Sequence, residues 1–243
     1  MVEPRRENAG ATPGDGNDVQ ENILEDWLQE WLQDWMLFVN SNRRDLELAK
    51  KILILSPEKL SYVGTRLANL QEMEGLRENA PMEYLSLYAS DLGDYRRLRD
   101  LQSTLQRLKL LRIAPSVKGA DQTLVDLTHF GALHTLELHW CNLEAAPLGL
   151  QALHVHLHRL ICTGPLPSLH HILVGAGKDV EDAAVWPCLT HLSCQKTGLA
   201  SMDSSLTLLP VVETLDLSRG NITAIENIQV ANPRLPPLTA TAA

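Results

Sequence analysis

The sequence predicts an α/β fold: a solenoid of about six irregular units, each giving a short strand to a parallel sheet on a concave face, preceded by amphipathic helices. Three observations predict it. Leucines recur in one fixed frame, as in "LHTLELHWCNL" with Leu133, Leu136, Leu138, Cys141 and Leu143. The frame returns from 82 to 212 at unit starts 82, 105, 133, 157, 189 and 212, separated by 23, 28, 24, 32 and 23 residues. Ahead of it, Ile23, Trp27, Trp31 and Trp35 recur every four residues, the period of a helix face.

Bulk properties set the limits. A chain of 243 residues, 44% of them hydrophobic, can fill one sizeable core. The net charge of -9, from 30 acidic against 21 basic residues, argues against a general nucleic-acid binder, which gains affinity by neutralising phosphates with Lys and Arg. Cys141, Cys162, Cys188 and Cys194 show no Cys-x-x-Cys spacing and no secretory leader precedes them, so a reduced, cytoplasmic setting is expected. No apolar run approaches the length of about 18 residues that suggests a bilayer span.

Along the chain, residues 1–18 combine Pro, Gly, Asn and charge with little to bury and are expected to be a disordered leader. Residues 19–80 read as a helical segment. Its first helix sets Trp27, Trp31 and Trp35 beside Leu24, Leu28, Leu32 and Phe38, with Glu21, Glu25, Asp26, Glu30 and Asp34 around them. Two uses stay open: a cap over the exposed end of the solenoid, or a docking helix for a basic groove on a partner. Residues 43–76 read as two short helices broken near Ser56 and Pro57, where a proline suits a first helical turn.

Residues 81–230 hold the units. Good copies are "LHTLELHWCNL", "LTHLSCQKTGL" and "VETLDLSRGNI"; degenerate ones are "MEYLSLYASDL", "LQRLKLLRIAP" and "LHRLICTGPLP". The frame is that of a leucine-rich repeat. First, fourth and sixth positions point into a core that no unit can close alone, and the ninth turns the chain. The longest interval places an insertion at residues 166–188, with a helix over residues 169–174. Its "GAGKD" resembles the end of a phosphate loop, but Ile172 stands at the first glycine position and Asp179 where a Ser or Thr would meet magnesium, so no nucleotide site is read there. Residues 231–243 are expected to be a disordered tail, and the array's stop after "NITAIENI" leaves two readings open, a truncated product or a native short form whose tail folds back.

Third, fifth and seventh positions face outward on the concave side. In the frame above they include Tyr84, Tyr88, Arg107, Lys109, Glu137, His139 and Arg159, which with Trp27, Trp31 and Trp35 are the candidate protein-binding residues. Histidines 134, 139, 154, 156 and 158 lack convergent Cys or carboxylate partners, so no metal is expected; no cofactor is either. His139 beside Glu137 is the one pair that an enzyme could use, and Cys162 and Cys194 at inward sixth positions are expected to act as buried apolar groups.

The stretches "SMDSSLTLLPVVETLDLSRGNI", "LHRLICTGPLPSLHHIL", "LTHLSCQKTGLASMDSSL", "LQSTLQRLKLLRI" and "LHTLELHWCNL", with Trp186 and Pro187 after the insertion, resemble the family of serine/threonine kinase-interacting proteins that bind liver kinase B. The resemblance runs from about Met82 to Ile228. It implies a non-catalytic scaffold for a protein kinase in intracellular signalling, reaching endomembranes through its partners, and transfers no residue roles by position. "NITAIENI" also resembles the repeats of protein-phosphatase regulatory subunits, whose regular 22-residue units the 28- and 32-residue intervals here do not match.

Overall fold

The computed structural model describes residues 15–79, 92–115, 123–175 and 177–222. In chain order these form helices α1 (Asp15–Ser41) and α2 (Arg43–Glu47), strand β1 (Leu53–Leu55), helices α3 (Pro57–Asn79) and α4 (Leu92–Arg107), then β2 (Leu110–Ile113), β3 (Thr135–His139), β4 (Arg159–Thr163), α5 (Leu169–Leu173), β5 (His191–Gln195) and β6 (Thr214–Asp216). The six strands make one parallel sheet in sequential order, a solenoid-like arrangement.

Leucine spacing produces this order by burial. Leu53, Leu111, Leu136, Leu160, Leu192 and Leu215 are successive partners across the sheet, and Leu55, Ile113, Leu138, Cys162 and Cys194 form the next buried row. A further row, Leu108, Leu133, Leu157, Leu189 and Val212, is buried ahead of the strands. Each fully buried leucine contributes roughly 1.5–3 kcal/mol relative to exposure, but only when the next coil covers it. At β6, the last described strand, Leu215 and Leu217 are correspondingly only half-buried.

Between rows, the backbone repeats one device. The carbonyls of Lys109, His134, His158 and Thr190 each accept the two amides that open the next strand, those of residues 134 and 135, 158 and 159, 190 and 191, and 213 and 214. After the strands the chain must turn away, and Trp140, Lys196 and Arg219 do so with φ of 55°, 56° and 58°. Gly164 holds the equivalent place at φ 105°, where a Cβ would come within 3.0 Å of the Trp140 backbone. The following polar residue closes the turn: Cys141 Sγ donates to the Ile113 carbonyl at 3.5 Å and Thr197 Oγ1 to that of Cys194 at 3.1 Å.

The insertion is tied down from inside. Trp186 is fully buried, with its indole N–H donated to the Leu173 carbonyl at 3.0 Å, and Gln151 donates to the Ile172 carbonyl at 2.9 Å. α5 begins at Ser168, whose hydroxyl accepts the His171 amide as a helix cap.

Four details differ from expectation. Residues 15–18, expected in the leader, belong to α1, since short polar residues suit a first turn whose amides lack helical partners. "LIL" at 53–55 is a strand and α3 runs for 23 residues, instead of two short helices; Leu53 and Leu55 alternate inward around exposed Ile54, and β2 supplies the pairing that three residues need. The place beside β2 expected for the unit starting at Met82 is taken by β1. The unit expected from Leu105 begins three residues later: Leu108, Leu111 and Ile113 are buried in the frame, whereas Leu105 reaches the core from α4.

α1 packs on α4, α3 and α2, burying Leu32, Trp35, Met36 and Val39 at helical spacing. Trp31 stacks on Trp35 with ring centroids 5.3 Å apart, while Trp27 is 52% exposed. Lys59 lies over both the Trp27 and Trp31 rings at 5.2 and 4.8 Å. Among the described residues, no helix is long and apolar enough to cross a membrane.

The register can be checked by paired substitutions. Leu111→Ala should cost about 2–5 kcal/mol in urea unfolding, Leu110→Ala under about 1 kcal/mol, and a reversed ranking would restore the frame that starts at Leu105. Trp35→Ala should cost about 3–5 kcal/mol, several times the effect of Trp27→Ala; equal effects would detach α1 from the core.

Candidate functional site

The face of the sheet away from the core carries Ile54, then Leu110 and Arg112, Thr135, Glu137 and His139, and onward through Arg159, Ile161 and Thr163 to the residues of β5 and β6. Strand alternation places them there, because every inward leucine forces its neighbours outward.

Two polar groups organise this face. Arg112 Nε donates to Glu137 Oε2 at 2.5 Å, His139 Nε2 lies 3.1 Å from the same oxygen, and His139 Nδ1 lies 3.0 Å from Thr163 Oγ1. Burial pushes the Glu137 carboxyl up, but hydrogen bonds from Arg112 and His139 outweigh it and hold the group below its usual range. Farther along, Gln195 donates to Asp216 Oδ2 at 2.5 Å and the Ser218 amide to Oδ1 at 3.0 Å. Burial opposes ionisation of Asp216 too; the Ser218 amide and the Gln195 side chain more than offset it. Half-exposed Ile161 and Ser193 separate the two groups.

At the edge where the strands begin, the residues just before β2, β3 and β4 are Lys109, His134 and His158. Lys109 Nζ sits 3.3 Å from His134 Nε2, and the His134 and His158 rings are 4.9 Å apart. His158 Nδ1 is fixed on the His156 carbonyl at 2.8 Å, and Arg159 is exposed beside it. Burial first, then Lys109, His158 and His156, hold the His134 imidazole below its usual pKa, so it stays neutral at neutral pH.

The expected site residues therefore divide. Glu137 and His139 lie together on the open face, joined by Arg112, which the shifted frame had hidden. Arg107 and Lys109 do not share the outward strand register: Arg107 ends α4, 3.9 Å from Glu47, and Lys109 precedes β2. Three residues of frame shift account for this, since a helix supplies Leu105. Arg159 opens β4 at the same edge as Lys109. Trp27, Trp31 and Trp35 lie on α1, and Tyr84 and Tyr88 lie outside the described residues.

Chemically, the face offers hydrogen bonds and apolar contact. Both His139 nitrogens are engaged, and Cys162 and Cys194 are fully buried; a hydrogen bond from the Cys194 thiol to Cys162, together with burial, pushes the Cys194 thiol up. Among the described residues, no three His, Cys, Asp or Glu side chains gather as metal ligands.

No family model matches the chain. It is 32% identical over 123 residues, 50% of its length, to the serine/threonine-protein kinase 11-interacting protein of Homo sapiens, and 32% identical over 118 residues, 49% of its length, to that of Mus musculus. The matched stretch is 11% of the human protein and 10% of the mouse protein, so the chain is similar to a small part of each.

Glu137 gives a pH prediction. Because its folded-state pKa lies below the usual 4.5, its pairing stabilises the fold fully above that value and the contribution is lost as pH falls through the lower folded value. In urea titrations, the gap between the native chain and Glu137→Gln should be widest near neutral pH and shrink in acid. A gap constant across pH would show that the carboxylate's charge is not what Arg112 and His139 hold.

Proposed function

We propose that the chain is a leucine-rich-repeat protein that acts as a non-catalytic scaffold, presenting the open strand face to a protein partner in the cytoplasm. One observation carries the reading: six parallel strands in sequential order leave a continuous face on which the half-exposed Ile161 and Ser193 lie between two self-satisfied polar clusters. A partner meeting such a face gains apolar contact at the centre without stripping water from an unpaired charge there. The likeness to the kinase 11-interacting proteins favours a serine/threonine protein kinase as that partner. The residues 15–47 are then chiefly structural, with Trp35 covering the core.

Binding of purified serine/threonine-protein kinase 11 by calorimetry tests the reading. Ile161→Arg, at a half-exposed position, should leave the unfolding midpoint nearly unchanged and weaken binding at least about tenfold. Unaltered binding would remove the open face from the contact; absence of any binding by the native chain would remove this kinase as the partner.

A further inference from the structure

The chain carries a net charge of -9, yet the edge where the strands begin collects bases. Lys109, His134 and His158 occupy one position in three successive units, Arg159 and His191 open β4 and β5 beside them, and His156 stands just ahead of His158. Among the described residues, no carboxylate forms an ion pair with any of these side chains. Thr190 and Glu213, at the matching places before β5 and β6, end the basic row.

We propose that this edge is a docking strip for an acidic segment of a protein partner, gripped by Lys109 and Arg159 with His134 between them. The strip rests on the protein-binding reading above and names the chemistry of one contact within it. Its spacing is rigid, because the carbonyls of residues 109, 134, 158 and 190 are each bonded to two amides of the next unit. With strands about 4.8 Å apart, the three steps from Lys109 to Thr190 span roughly 14 Å, the length of four to five residues of extended peptide at about 3.3 Å each. Aspartate or glutamate side chains along such a peptide can meet several bases at once.

Protonation and docking are coupled through geometry. A second positive charge on His134 would face the Lys109 ammonium at 3.3 Å and the His158 ring at 4.9 Å, with His156 also near; no acid from β2 or β4 is paired there to receive it. On the β5 side, His158 meets Thr190 and, beyond it, His191, whose Nδ1 lies 2.9 Å from the Thr190 hydroxyl. Burial first, and then the crowding of Lys109, His158 and His156, holds His134 below its usual pKa in the free protein. A bound carboxylate cancels that repulsion, so docking draws protons in and tightens as pH falls through the histidine range.

Fluorescence anisotropy of a fluorescein-labelled hexa-aspartate peptide with the full chain tests this at low salt. Binding should be at least about tenfold tighter at about pH 5.5 than at about pH 7.5, and weaken steeply with added salt. Arg159→Glu, at an exposed position, should weaken binding at least about tenfold at both pH values, and His134→Gln should flatten the pH ratio to below about threefold. Should His134→Gln fail to fold, His134→Asn serves in its place. No peptide binding at the lower pH, binding indifferent to Arg159→Glu, or a pH ratio untouched by the histidine variants would overturn the strip. Binding to phosphatidylserine vesicles without binding to the peptide would also overturn it. Failed peptide binding with kinase binding intact condemns the strip alone, whereas lost kinase binding with the peptide still held condemns the choice of kinase and leaves the strip.

Discussion

Everything in this molecule depends on leucines that no coil can bury by itself. Leu136 is sealed because Leu111 and Leu160 lie on its two sides, and Leu160 because Leu136 and Leu192 do. Stability is thus shared between neighbours, and the conformational entropy of ordering one coil is offset only when the next is in place. This constraint also dictates surface chemistry. Alternation sends every other strand residue outward, so the open face is a by-product of the buried rows and its spacing inherits their rigidity.

The turns after the strands show what that regularity costs. Trp140, Lys196 and Arg219 hold left-handed backbone that ordinary residues avoid by about 1–2 kcal/mol. Nothing in their side chains favours it. Closure of the turn against the neighbouring coil does: the Trp140 amide bonds the Thr163 carbonyl at 2.7 Å, the Lys196 amide that of Ser218 at 3.2 Å. One coil's strain is met by a hydrogen bond from the next, which is the leucine argument repeated in the backbone.

Leucine frames made β3, β4, β5 and β6 legible, since each of those units has apolar first, fourth and sixth positions in a single frame. "LQRLKLLRI" satisfies two frames, one from Leu105 and one from Leu108, and composition alone gives no reason to choose. Helix α4 decides, because its last turns present Leu101 and Leu105 to the core and leave Leu108 to begin the unit. β1 was hidden for another reason: three residues carry no repeat, and only pairing with β2 makes them a strand. The same ambiguity governed the site. Glu137 and His139 could be paired from their spacing of two, but Arg112 could join them only in the later frame.

Electrostatics then separates two parts of one sheet. On the open face the carboxylates Glu137 and Asp216 are already committed to Arg112, His139, Gln195 and the Ser218 amide, so a visiting cation would have to displace bonds made within the fold. Among the described residues, Lys109 and Arg159 at the strand-start edge pair with no acid, and a visiting carboxylate there displaces water and small ions. Although the chain as a whole is acidic, the unpaired charge of the described residues at this edge from β2 to β4 is therefore positive. Recognition that uses both regions would set an apolar contact at Ile161 and an anionic one beside Arg159, two residues earlier on the same strand, so a single partner segment could engage the two together.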